Sequence, residues 1–134
     1  MKYVDILIKA RFEEGGLQLT KAQFLLLRFL QSGPQPQSSL ALITERDKGS
    51  LTRLVQSMER KKLVKRKVDK EDQRINLVEM TNLGEQVLVS AVPILQGLVD
   101  SLTNGISAEE QEQTQFILNK IKFNAIAALN EYKN

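Results

Sequence analysis

The chain contains no cysteine and no histidine. Without cysteine there is no disulfide, no thiol nucleophile and no thiol-based redox switch. Without histidine there is no imidazole general base. A metal would have to be held by carboxylates and carbonyls alone, which excludes the usual structural zinc sites. Long apolar runs are also missing. The longest early one, Phe24–Leu27, falls far short of the ~20 residues of a membrane span. Asp5 stands where the apolar core of a secretory signal would begin, so the expected location is the cytoplasm, with no membrane association. Glu13-Glu14 and Glu109-Glu110 are acidic pairs, but sequence neighbours point apart on a helix and make poor catalytic dyads. The chain carries no P-loop, nucleophile elbow, metal-ligand cluster, internal repeat or low-complexity stretch. No cofactor and no enzymatic activity are expected.

What is present is a chain of 134 residues, 42% of them hydrophobic, consistent with one domain over residues 1–134. Such a length can bury about two-thirds of its unfolded surface. The net charge of +3 is unevenly placed. Residues 45–74 hold eleven basic and six acidic residues, a local +5, and the remaining eight basic and ten acidic residues leave −2. Positive charge gathered in one segment is what a phosphate-binding surface needs, although a solvated basic face has the same composition.

That segment has a legible organisation. Asp47 can cap a helix by accepting first-turn N–H groups. Leu51, Leu54, Val55 and Met58 then recur at i, i+3, i+4 and i+7, one apolar stripe on the helical period. The opposite face carries Gly49, Arg53, Gln56 and Arg60, flanked by Ser50, Thr52 and Ser57. Such a helix can lie on a core with one side and meet base edges with the other. Val64, Arg66 and Val68 alternate with Lys65 and Lys67 in a first strand. Arg74–Met80 reads as a second, with Ile75 and Leu77 on one face. Between them Asp69–Gln73 is rich in turn formers and too long for a two-residue turn. A helix followed by a basic hairpin with a protruding tip is the outline of a winged helix.

Upstream, Val4, Leu7, Ile8 and Phe12 line a helix over residues 3–14, closed by Gly15-Gly16. Thr20 and Gln23 have the spacing of a capping box for a second helix, with Phe24, Leu27 and Leu30 on its period and Gly33-Pro34 ending it. Ser38 is a candidate cap for a short helix over 39–44, which would complete a helix-turn-helix with the helix after Asp47. Downstream, Thr81 can cap a helix reaching about Thr103, with a kink expected near Val89–Pro93. Ser107 and Glu110 form a capping box for a last helix to about Tyr132. Phe116, Ile117, Ile121, Ala125, Ala128 and Leu129 give that helix an apolar side. At 1.5 Å per residue the two helices are roughly 33 and 37 Å long. A small winged helix cannot cover both; a two-fold copy of the chain can. A monomeric helical hairpin is the alternative.

Four blocks agree in order and spacing with the MarR family of bacterial transcription regulators. They are Asp47-Lys48-Gly49-Ser50-Leu51-Thr52-Arg53-Leu54-Val55, Leu63-Val64-Lys65-Arg66, Asp72-Gln73-Arg74 and Met80-Thr81-Asn82-Leu83-Gly84. The resemblance runs from Leu19-Thr20-x-x-Gln23 almost to the C-terminus. It implies a mainly α fold with a small β-hairpin wing, of α+β class. Residues 19–80 would form the winged helix-turn-helix DNA-binding lobe, and 1–18 and 81–134 the helical dimerisation region. The implied partner is double-stranded DNA, bound by a homodimer on a pseudo-palindromic operator. Repression is the implied output, and the family pattern leaves room for a small apolar or anionic effector.

The expected site follows from this outline. Lys48, Gly49, Ser50, Thr52, Arg53 and Gln56 stand on the recognition helix, where Arg53 could reach a guanine and Gln56 an adenine. Lys65, Lys67, Lys70, Asp72, Gln73 and Arg74 stand on the wing. By resemblance, Asp72 orients Arg74 into or over a minor groove. Gln37, Ser38 and Ser39 could bond phosphates. Two places depart from the family pattern: Glu45-Arg46 before the recognition helix, where a small or glycine residue and then an apolar one are usual, and Lys62 after it, where glycine is usual. A protein-interaction module with an incidental basic face remains the alternative from another class.

Overall fold

A computed structural model describes residues 1–133. The chain divides into two compact units, Met1–Leu98 and a second beginning at Val99. The elements in order are α1 (Lys2–Glu14), α2 (Lys21–Leu30), β1 (Gln35–Pro36), α3 (Gln37–Ile43), α4 (Lys48–Arg60), β2 (Val64–Val68), β3 (Asn76–Met80), α5 (Asn82–Leu102) and α6 (Ala108–Lys133). The mainly α fold with a small sheet is the one expected.

Local chemistry starts the helices of the first unit. Thr20 Oγ1 accepts from Gln23 N at 3.1 Å, and Gln23 Oε1 accepts from Thr20 N at 3.2 Å, so the predicted capping box opens α2. Asp47 Oδ1 accepts from Ser50 N at 2.7 Å and opens α4. The start of α3 differs from expectation. It begins at Gln37 with Pro36 as its N-cap, and no side chain caps it. Ser38 therefore lies inside the first turn. Pro36 is already extended at φ −60° and is held by its pairing with Leu77, so the chain enters the helix without a serine cap.

Helix ends repeat one device. After α3, Glu45 N donates to Leu42 O and Arg46 N to Ala41 O. After α4, Lys62 N donates to Glu59 O and Leu63 N to Met58 O. Both are Schellman closures, which need a left-handed residue. Glu45 at φ 54° and Lys62 at φ 60° supply it without being glycine.

The sheet is antiparallel, in the order β1-β3-β2, with Val64 opposite Met80 and Arg66 opposite Val78. This register decides which face of the second strand meets the core, a choice the alternation left open. Val78 is fully buried, whereas Leu77 is half-buried and Ile75, which precedes the strand, is exposed. The face presented to the core is that of Val78, not that of Ile75 and Leu77. The side-chain period of two means that one step of register exchanges the faces.

The core of the first unit joins Phe12, Leu26, Leu27, Leu40, Val78 and Leu88 to the predicted stripe Leu51, Leu54, Val55 and Met58 of α4. Thr81 Oγ1 accepts from Gly84 N at 3.0 Å and donates to Lys62 O at 2.6 Å, tying the start of α5 to the end of α4. α5 runs from Asn82 to Leu102 through Pro93. In the second unit Ser107 and Glu110 form the expected capping box for α6, with bonds of 2.9 and 3.1 Å. No residue of α6 is buried, and Phe116, Ile117, Ile121 and Leu129 are all exposed. Among the described residues, no helix is long and apolar enough to cross a membrane.

Candidate nucleic-acid interface

With its apolar stripe in the core, α4 turns Gly49, Arg53, Gln56 and Arg60 to solvent. At Gly49 a Cβ would lie 3.6 Å from Arg53 Nη1, so the guanidinium lies across the first turn of the helix. Its planar fork is then close to the helix N-terminus, the end that an HTH protein inserts into a major groove.

The flanks of α4 are fixed by hydrogen bonds. On one side Arg46 Nη1 donates to Ser50 Oγ at 2.7 Å. The arginine that departs from the family pattern is thus half-buried and braced against the first turn of the recognition helix. On the other side Gln37 Nε2 donates to Thr52 Oγ1 at 3.0 Å, joining the first residue of α3 to α4. Thr52 Oγ1 in turn donates to Lys48 O at 2.8 Å.

The wing tip is built by its acids. Asp69 Oδ1 accepts from Glu71 N at 2.8 Å, and Asp72 Oδ1 accepts from Arg74 N at 3.0 Å. The Arg74 side chain is 92% exposed, and its Nε lies 3.3 Å from Asp72 Oδ1. An exposed pair of this kind adds under about 1 kcal/mol to stability, so its main effect is on the direction of the arginine.

Between α3, α4 and the wing lies a groove of about 640 Å³. It brings together Gln37, Ser38, Lys48, Thr52 and Arg74 from the predicted set. Pro36, Ala41, Leu51 and Ile75 supply its apolar lining, and no carboxylate lines it. Arg66 and Asn76, which were not among the predicted site residues, line it as well. Arg66 Nε is held 2.9 Å from Glu59 Oε1 of α4. The signal for Arg66 was present in the strand alternation, which sets it on the face of Val64. The same alternation sends Lys65 and Lys67 to the other face, where their Nζ atoms lie 3.6 and 3.9 Å from Glu79. Lys70 and Gln73 are exposed at the tip, and Ser39 is half-buried and outside the groove lining.

A helix with a polar cationic face, preceded by a second helix across a tight turn and followed by a basic β-hairpin, defines a winged helix-turn-helix DNA-binding protein. Comparison with known proteins narrows this class. The sequence profile described as the MarR family matches residues 17–75. The transcriptional regulator HosA of Escherichia coli is 32% identical over 113 residues, covering 84% of each chain. A cysteine-to-serine mutant of MarR from E. coli, solved in complex with operator DNA, superposes with a TM-score of 0.82 at 25% identity, covering 90% of this chain and 86% of that one. The complex of S. aureus MepR with DNA gives 0.80 at 25% identity, covering 92% and 90%. The chain belongs to the MarR family, and it is a DNA-binding transcriptional regulator.

Proposed function

We propose that the chain acts as a symmetric homodimer on a pseudo-palindromic operator, as a repressor released by a small-molecule effector. Each subunit lays α4 in a major groove, with Arg53 and Gln56 toward the bases, and sends Arg74 of the wing to the adjacent minor groove. Lys48, Arg66 and the polar residues at the start of α3 meet phosphates around the groove between them. The observation that carries the symmetric reading is α6. Its apolar residues Phe116, Ile117, Ile121 and Leu129 are 55–60% exposed in the single chain. A stripe of that extent needs a cover, and a two-fold copy supplies one while doubling the recognition helix. Solved relatives held on DNA, MarR with its operator among them, support the same reading.

The test is selection of bound sequences from a random duplex pool at near-physiological salt, with the protein's mass measured by light scattering. An inverted repeat with half-sites one turn of DNA apart, about 10 base pairs or a multiple, bound by a species of twice 15.2 kDa, is the expected result. Binding with no recovered motif that vanishes as salt rises would overturn the reading and favour a protein-interaction module with an incidental basic face.

A further inference from the structure

The two hydroxyls on the first turns of α4 are not equivalent. A hydroxyl has one proton and two lone pairs. Thr52 Oγ1 commits its proton to Lys48 O at 2.8 Å and one lone pair to Gln37 Nε2 at 3.0 Å. Ser50 Oγ accepts from Arg46 at 2.7 Å but donates to no described residue, so its proton is free for DNA. Thr52 therefore has no proton to donate to a base, although it lines the cationic groove beside Lys48 and Arg74, where a duplex would lie. Its remaining distinctive group is the methyl. The major-groove feature that matches a methyl is the C5-methyl of thymine.

We propose that Thr52 is a specificity-determining residue that selects thymine in each half-site by methyl–methyl contact. Gln37 acts as the positioning residue that holds the hydroxyl and so fixes the rotamer. The inference rests on the proposed groove placement of α4. Its alternative within the same placement is that the last lone pair of Thr52 accepts from an exocyclic amine of adenine or cytosine.

The experiment uses the operator recovered by the selection above and replaces thymine by uracil one position at a time. Uracil lacks the C5-methyl and keeps every hydrogen-bonding group. For the wild-type protein one symmetric position should weaken binding by about fourfold per half-site, the effect of one lost apolar carbon contact. Thr52→Ser keeps the hydroxyl and removes the methyl, so it should bind the thymine and uracil duplexes alike. Thr52→Val keeps a methyl and removes the hydroxyl, so it should still discriminate. A uracil scan that affects wild type and Thr52→Ser equally overturns the proposal. So does discrimination that survives in Thr52→Ser and is lost in Thr52→Val. Failure to recover any operator would instead count against the DNA placement itself.

Discussion

The side-chain amide of Gln23 on α2 bonds to Ser57 near the far end of the recognition helix, with Nε2 donating to Ser57 Oγ at 3.2 Å. Its Oε1 also accepts from Lys61 Nζ at 2.9 Å, while the same oxygen closes the capping box of α2. Gln23 is 4% exposed, the one buried polar side chain among the described residues. A single side chain thus starts one helix and anchors the end of another. Gln23→Ala leaves Thr20 N and Ser57 Oγ without these partners, and should cost about 1–3 kcal/mol of stability. DNA affinity should fall with it, because the C-terminal half of α4 loses its tie to α2. Urea unfolding with a parallel binding titration measures both. A change below about 0.5 kcal/mol would assign this network no weight.

Gly84 carries a comparable load without any side chain. A Cβ there would fall on the carbonyl of Leu63 and lie 2.9 Å from Met80 Cγ. The obstacle is backbone, which cannot rotate away. The same contact region holds Thr81 Oγ1 against Lys62 O. Gly84→Ala should force α5 away from the start of β2 and lower stability by about 1–3 kcal/mol, the usual cost of overpacking. Thermal unfolding monitored by circular dichroism reads the loss. An unchanged midpoint would mean that the helix start shifts freely.

Lys62 and Glu45 show which parts of this fold are written locally. Both occupy left-handed positions at φ 60° and 54°, where the family pattern favours glycine or a small residue. The departure was visible in the sequence, and the conformation is retained because the Schellman bonds hold it at both positions, with Thr81 adding a bond to the Lys62 carbonyl. An L-residue in this region is strained by roughly 1–2 kcal/mol, and glycine gives back part of that gain through its freer unfolded chain. Lys62→Gly should therefore stabilise the protein by about 0.5–1 kcal/mol with no change in DNA sequence preference. A fall in melting temperature would show that the lysine side chain contributes more than its backbone costs.

The legible features depended on near neighbours. The capping boxes at Thr20 and Ser107, the Asp47 cap and the Leu51–Met58 stripe all involve residues within one or two turns, and each was found where its spacing put it. Features set by distant pairing were not legible. β1 is two residues long and exists because Gln35 and Pro36 lie opposite Val78 and Leu77. With that pairing the cap of α3 is Pro36 in place of Ser38, and the helix starts at Gln37 in place of Ser39. The hairpin register decided that Val78 faces the core, that Arg66 faces the groove and that Lys65 and Lys67 face Glu79. The alternation had already set Arg66 apart from Lys65 and Lys67, but only the register shows which of the two faces meets the groove.

Those faces give the wing cations a ranking. The Arg74 side chain is almost fully exposed and its ion pair is with Asp72, an exposed partner, so Arg74→Ala should leave the melting temperature unchanged. It should weaken operator binding and reduce the slope of affinity against salt by about one. Lys67→Ala should change affinity less, because Glu79 already lies 3.9 Å from its ammonium on the other face of the hairpin. Fluorescence anisotropy across a salt series separates the two. Equal losses would mean that both faces of the wing meet DNA.

The N-terminus of α6 supplies a pH-dependent element. The Glu110 carboxylate accepts from the Ser107 backbone N–H at 2.9 Å, and this bond, with the Ser107 hydroxyl second, holds its pKa below the ordinary glutamate value. A carboxylate whose folded pKa is depressed stabilises the fold at pH above its unfolded pKa, and that stabilisation is lost as pH falls through the folded pKa. The first turn of α6 should accordingly be fully capped at neutral pH and fray under acid. Glu110→Gln keeps an acceptor for the same N–H but has no proton to gain. Amide exchange at Ser107 should therefore rise on acidification in the wild type, relative to its intrinsic rate, and stay flat in Glu110→Gln. The same acid response in both proteins would place the titrating group elsewhere.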